Sequence, residues 1–194
     1  TQLARLALLR GASDAATRHL ESALSLLRAM SDPSPETVAW CQWQLGETAF
    51  ASGDYKKAEE NYREALSTVL GYFRALSSLG RVLAARGDSP GAISCYEQVV
   101  RSVPALPFMA ALGDLYHLAG REREASVHYE LAEEMGDHSR KVHGSAFDRN
   151  LALYYCDHDM RLEKAYDLAQ REYQAGRHDI YGADALAWAA FKTG

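Results

Sequence analysis

One stride recurs through the middle of this chain, and it restricts the fold more than any other feature. Three segments line up in register. The first holds Leu45-Gly46, Gly53-Asp54-Tyr55, Ala58, Tyr62 and Ala65. The second holds Leu79-Gly80, Gly87-Asp88, Ala92, Tyr96 and Val99 and closes with Pro104; the third holds Leu112-Gly113, Tyr116, Gly120, Ala125, Tyr129 and Ala132. Gly46 to Gly80 is 34 positions and Gly80 to Gly113 is 33. A period of this length marks a supersecondary unit that cannot cover its own apolar face and must stack on copies of itself.

The landmarks have separate physical jobs. Gly53, Gly87 and Gly120 fall where a first helix must stop, because glycine takes the left-handed conformation at little cost. Asp54 and Asp88 then stand where a second helix needs a cap, and Ser89-Pro90 offers a further cap and first-turn pair. Gly46, Gly80 and Gly113, with Ala58, Ala92 and Ala125, let two helices approach closely, while Tyr62, Tyr96 and Tyr129 fill the space between successive pairs. On these residues the segment from Val38 to about His138 resembles the tetratricopeptide repeat, a unit of about 34 residues. The large aromatic usual in the first helix of that family is replaced by Gln42, Leu76 and Met109.

The flanks follow the pattern more loosely. Gly11, Ala16, Leu20 and Ala23 fit the second half of an earlier unit, with Leu3, Leu6 and Leu9 in its first helix. Ala16 to Ala58 is 42 positions, so a longer loop is expected at Asp32-Pro33-Ser34-Pro35, with Pro35 starting the next helix. Past His138, Leu151-Ala152 and Tyr155 suit a first helix beginning near His138, with Asp159 in the place of the terminating glycine. Ala165 and Ala169 suit its partner. The run Asp184–Gly194 reads as one more first helix; from Asn150 onward the chain also resembles the C-terminal part of a bacterial group of such proteins. The expected fold is all-α: a right-handed superhelical solenoid of antiparallel helix pairs forming one domain over 1–194. Its units would cover about 1–30, 38–72, 73–105, 106–138 and 139–177, followed by an unpaired helix at 179–194. Leu186, Trp188 and Phe191 on that helix are expected to be short of cover.

The resemblance implies a concave wall made of first helices, with positions 2, 5, 9 and 12 of each unit facing the groove. These are Trp40, Trp43, Glu47 and Phe50; then Arg74, Ser77, Arg81 and Ala84; then Pro107, Ala110, Asp114 and His117, with Arg149 and Leu153 further on. Aromatic anchors are enriched at binding hot spots, and arginine forks onto carboxylates. The set suits a peptide carrying an apolar side chain and an acid. The same residues also admit a plainer reading, with Trp40 and Trp43 packed on the first unit as core and the arginines offset by Glu47 and Asp114. The Lys and Asn clamp with which some members of the family hold a C-terminal carboxylate is absent, since Trp43, Glu47 and Arg81 stand at its places.

Composition excludes more than it selects. The net charge of −5 gives no general attraction to nucleic acid. No apolar run reaches the roughly 20 residues of a membrane-spanning helix, and the first residues lack the pattern of a signal peptide. Cys41, Cys95 and Cys156 are far apart and read as buried thiols, which favours a reducing, cytoplasmic setting. The histidines are scattered, and Asp157-His158-Asp159 reads as a solvated helix end rather than a metal site. Glycine-rich phosphate loops and paired catalytic groups are missing, so no cofactor, metal or reaction is expected. The expected role is a scaffold or adaptor holding a protein or peptide in the groove. A regulatory domain of a longer enzyme or transcription regulator, motivated by the missing initiator Met, and self-association through the last helix are the alternatives.

Overall fold

In the computed structural model, residues 2–144, 148–176 and 178–194 are described. They form eleven α-helices and no strand. The chain divides into two compact units, Thr1–Val103 and Pro104–Gly194. The first contains α1 (Gln2–Leu9), α2 (Ser13–Ala29), α3 (Pro35–Ala51), α4 (Tyr55–Thr68), α5 (Phe73–Ala85) and α6 (Ser89–Ser102). The second contains α7 (Leu106–Leu118), α8 (Glu122–His143), α9 (Asp148–Asp157), α10 (Leu162–Gln174) and α11 (Ile180–Thr193). Within each unit a helix packs on its sequence neighbours, and first helices also meet: α3 with α5, and α7 and α11 with α9. Such neighbour-only packing defines an all-α repeat solenoid.

The punctuation expected from sequence is realised atom by atom. Gly53, Gly87 and Gly120 have φ of 78°, 84° and 72°. Asp54 Oδ1 accepts from the Lys57 N–H at 3.0 Å, and Asp88 Oδ1 from the Gly91 N–H at 3.0 Å. Asp88 alone caps α6, and Ser89 is already its first helical residue, so the Ser89-Pro90 pair lies one position inside the expected cap. Ser34 caps α3 and Pro35 opens it. Asp159, standing for a glycine, takes φ 52°, and Arg161 takes 45°. Asp can do this because its short polar side chain tolerates the left-handed region.

The small-residue landmarks turn out to serve the tyrosines of their own pairs. A Cβ on Gly46 would run into the Tyr62 ring, one on Gly80 would lie 2.8 Å from Tyr96, and one on Gly113 2.6 Å from Tyr129. Each ring therefore occupies the space that a side chain at the glycine of the preceding helix would need. Ala58, Ala92 and Ala125 are buried beside them. Gln42, Leu76 and Met109 are buried as well, and the Gln42 carbonyl accepts from the Thr68 hydroxyl at 2.8 Å. The three cysteines are free and buried.

One boundary departs from expectation. The long helix after His138 belongs to α8, which runs on to His143 and stops at Gly144 (φ 63°), while α9 is short and starts at Asp148. Nothing between Arg121 and Gly144 breaks a helix except Gly136, and that glycine is filled by Leu151 and Leu106, whose methyls would meet a Cβ at 2.7 and 2.9 Å. At the last helix, Asp179 Oδ1 accepts from the Gly182 N–H at 2.8 Å. Trp188 and Phe191 stack at 5.5 Å, with Phe191 largely exposed, as the pattern implied.

Candidate functional site

Glu47, Arg81 and Asp114 occupy the same position in successive first helices, each one residue past a glycine of the repeat. At Glu47 and Asp114 the tyrosine that packs on that glycine ends with its hydroxyl beside this position. Tyr62 OH donates to Glu47 Oε1 at 2.6 Å, and Tyr129 OH donates to Asp114 Oδ1 at 2.8 Å. Each carboxylate is thus first a partner for a phenol, fully buried at Tyr62 and half-buried at Tyr129. What else it receives decides the surface each unit presents.

In the first unit Glu47 is a hub. Ser78 Oγ donates to its Oε1 at 2.7 Å, and Arg81 Nη2 reaches both oxygens, at 2.7 and 2.9 Å. Trp43 Nε1 donates in turn to Ser78 Oγ at 2.9 Å. Burial pushes the Glu47 carboxyl upward, but the donors Tyr62, Arg81 and Ser78 outweigh it and hold the group below its ordinary value. The Tyr62 phenol is driven up by burial and by the adjacent Glu47 charge. Arg81 lies over the Phe50 ring at 4.2 Å, and Arg74 lies over Trp43 at 5.3 Å and Phe73 at 5.1 Å. Arg74 is exposed and meets no carboxylate among the described residues.

This arrangement sorts the residues expected in the groove. Trp43, Glu47, Phe50, Arg74 and Arg81 come together across α3 and α5. Trp40 is half-buried against the core formed by α1, α2 and α3. Ser77 Oγ donates to the Arg74 carbonyl of its own helix at 3.0 Å; the serine in the network is its neighbour, buried Ser78. Of the two arginines, Arg81 is committed to Glu47 and only Arg74 is left to meet a ligand.

In the second unit the carboxylate position has a different companion. His158 Nε2 lies 2.8 Å from Asp114 Oδ1, and its Nδ1 lies 2.7 Å from the Tyr154 carbonyl. The imidazole meets the Tyr129 ring edge-on at 5.1 Å and the Tyr154 ring at a tilt at 4.6 Å. The Asp114 hydrogen bond raises the His158 pKa above the ordinary histidine value against the opposing effect of burial. Asp114 is pushed up by burial, yet His158 and Tyr129 bring it net below the usual aspartate value. His158 is therefore no solvated helix end, as the sequence suggested, but a half-buried partner of α7.

Above this pair lies a cleft of about 300 Å³ between α7 and α9. Leu106, Pro107, Ala110, Leu153 and Tyr154 give it apolar walls, and Asp114, Asn150, Asp157 and His158 bring polar groups to it. Pro107, Ala110, Asp114 and Leu153 were expected to face the groove. His117 does not line the cleft; it is exposed and pairs with Glu122 at 3.0 Å. Arg149 turns away into the body of the unit, paired with buried Glu172 and with Asp179, both at 3.1 Å. Asp157 Oδ1 accepts from Trp188 Nε1 at 3.0 Å. Among the described residues no group of three or more His, Cys, Asp or Glu is placed to hold a metal ion, and no helix is long and apolar enough to cross a membrane.

Two family models, both described as tetratricopeptide repeat (TPR), match the sequence, one over residues 1–70 and the other over 44–110 and 78–136. No curated protein matches it. Among solved structures, a thermophilic TPR protein of Thermus thermophilus superposes with a TM-score of 0.65 at 20% identity, covering 98% of this chain and 96% of that one. MamA superposes with a TM-score of 0.58 at 16% identity, covering 98% and 94%. A TPR protein of Parabacteroides merdae ATCC 43184 does so at 0.55 and 16%, covering 98% and 71%. At these identities the likeness is one of fold.

Proposed function

The chain belongs to the tetratricopeptide repeat family, and on that premise we propose that this protein-interaction scaffold holds a peptide segment of its partner against α3 and α5. The observation that carries the reading is Arg74, a cation backed by two aromatic rings and meeting no carboxylate among the described residues. Trp43 beside it is half-buried with its indole N–H bonded to Ser78, and Phe50 on the same helix is half-buried with the Arg81 guanidinium over its ring face. Fixed aromatic rings on a face that carries an unneutralised guanidinium favour an apolar side chain followed by an acidic one. Because both rings are held before a ligand arrives, little side-chain ordering remains to oppose binding.

The test is selection of random twelve-residue peptides on the immobilised full chain, followed by affinity measurement on single peptides. Enriched sequences should place Asp or Glu within one turn of an aromatic or aliphatic residue. Arg74→Glu should weaken them at least tenfold, and Arg18→Glu, an exposed change on α2, should leave them as they were. Enriched peptides without an acid, or equal binding by the two variants, would refute the reading. Arg81 is a poor place for this test, since its loss would also strip Glu47 of its ion pair.

A further inference from the structure

We infer that the cleft between α7 and α9 is a second subsite, independent of the one on α3 and α5, and that it takes a lysine or arginine side chain presented by a protein partner. The argument starts from which cations are already committed. Around the cleft, Arg149 is bound to Glu172 and Asp179, Arg161 to Glu133, and Lys192 to Asp159. None of them reaches Asp114 or Asp157. Asp114 Oδ1 receives the Tyr129 hydroxyl and His158, and Asp157 Oδ1 receives Trp188; among the described residues the second oxygen of each carboxylate has no partner. Two carboxylates and one imidazole leave the cleft at −2, or at −1 when His158 is protonated. Its sign is negative in either state.

Shape and lining narrow the ligand further. A volume of about 300 Å³ is at the lower limit for small-molecule pockets and holds one long side chain. Pro107, Ala110 and Leu153 line it with carbon. Lysine and arginine are the side chains that lay an apolar stem on such a surface while delivering a charged head to carboxylates at its edge. An acidic side chain would be repelled by Asp114, which its donors keep ionised, and a purely aliphatic one would strip water from two charged oxygens and return no hydrogen bond. The Asn150 side chain, hydrogen-bonded to nothing among the described residues, adds an acceptor that a multi-donor head can use.

The experiment is a titration of the isotopically labelled full chain with three capped tripeptides, Ala-Lys-Ala, Ala-Leu-Ala and Ala-Glu-Ala, followed by amide chemical shifts. The lysine peptide should move the amides of Ala110, Asp114, Leu153 and His158 saturably, and the other two should not. Adding salt to 0.5 M should weaken it several-fold. Asp114→Asn should weaken it at least tenfold. Asp157→Asn, which leaves the Tyr129 and His158 bonds alone, should weaken it at least threefold and covers the case in which Asp114→Asn misfolds. Equal shifts with the leucine peptide, no response to the lysine peptide, or unchanged lysine binding by Asp157→Asn would each overturn the proposal. Arg74→Glu should not alter any of these shifts, so the two subsites succeed or fail separately.

Discussion

Removing the Glu47 carboxylate tests whether the hub on α3 holds the first unit together. Glu47→Ala takes the acceptor from three neighbours at once. Tyr62 is fully buried and has no second acceptor for its hydroxyl among the described residues, so it bears the whole cost of an unmade hydrogen bond, about 1–3 kcal/mol. Ser78 suffers less, because it still accepts from Trp43 and can turn its hydrogen toward its own helix. Arg81 is 45% exposed and can return to water, so the lost ion pair counts for about 1 kcal/mol or less. The sum is about 3 kcal/mol. In a chain of this length that lowers Tm by roughly 6–12 °C. Glu47→Gln keeps a neutral acceptor for Tyr62 and Ser78 and loses only the charge, so it should cost about 1 kcal/mol. The assay is urea unfolding followed by circular dichroism at 222 nm, with the slope m compared among the three proteins. The sign with pH follows from the depressed carboxyl pKa: the contribution is fully present above the ordinary glutamate value of 4.5 and is lost as pH falls through the lower folded-state value. A Glu47→Ala loss below 1 kcal/mol, or Glu47→Gln as damaging as Glu47→Ala, would refute the reasoning.

The second unit responds to pH in the opposite sense. His158 gains a partner on folding, so its stabilisation is complete below the ordinary value of 6.5 and fades as pH rises through the raised folded-state value. The stability difference between wild type and His158→Phe should shrink between pH 6 and pH 9, and a flat difference would contradict the Asp114 pairing. Among the glycines, Gly46→Ala must displace the buried Tyr62 ring and should cost at least 2 kcal/mol. Gly53→Ala meets no atom and costs only the strain of its left-handed backbone, about 1 kcal/mol. Thermal unfolding of the two variants decides the order.

The repeat was legible because its signals are local and steric. A glycine at φ 78°, an aspartate capping three residues on, and a tyrosine over a glycine each leave a residue type at a fixed offset. The α8 overrun was not: a new helix was expected to begin near His138, whereas α8 runs through Gly136, which is sealed by Leu151 and Leu106, separated from it in sequence by 15 and 30 positions. Ser78 was missed by one place: the groove register named Ser77, and only the observed hydrogen bonds show which of two adjacent hydroxyls turns to Glu47. His158 was hidden more deeply. Its neighbours Asp157 and Asp159 suggested a polar helix end, whereas its real partner lies 44 residues earlier and arrives through the packing of α7 on α9.

The acidic position that follows the repeat glycine illustrates why groove charges are misread one repeat at a time. The glycine is there for the tyrosine ring, and a hydroxyl drawn under cover with that ring, wholly at Tyr62 and in part at Tyr129, needs an acceptor, so Glu47 and Asp114 have a packing reason to be acidic before any ligand is considered. The next first helix then sets the charge that is left over. After Glu47 it brings Arg81, which takes both oxygens and leaves Arg74 as the dominant charge of that face. After Asp114 it brings His158, which takes one oxygen and a fraction of the charge, together with Asp157, which adds more of the same sign. Two units that share the Leu-Gly-acid landmark therefore face solvent with opposite polarity, and the difference originates not in the acid but in the helix stacked beside it.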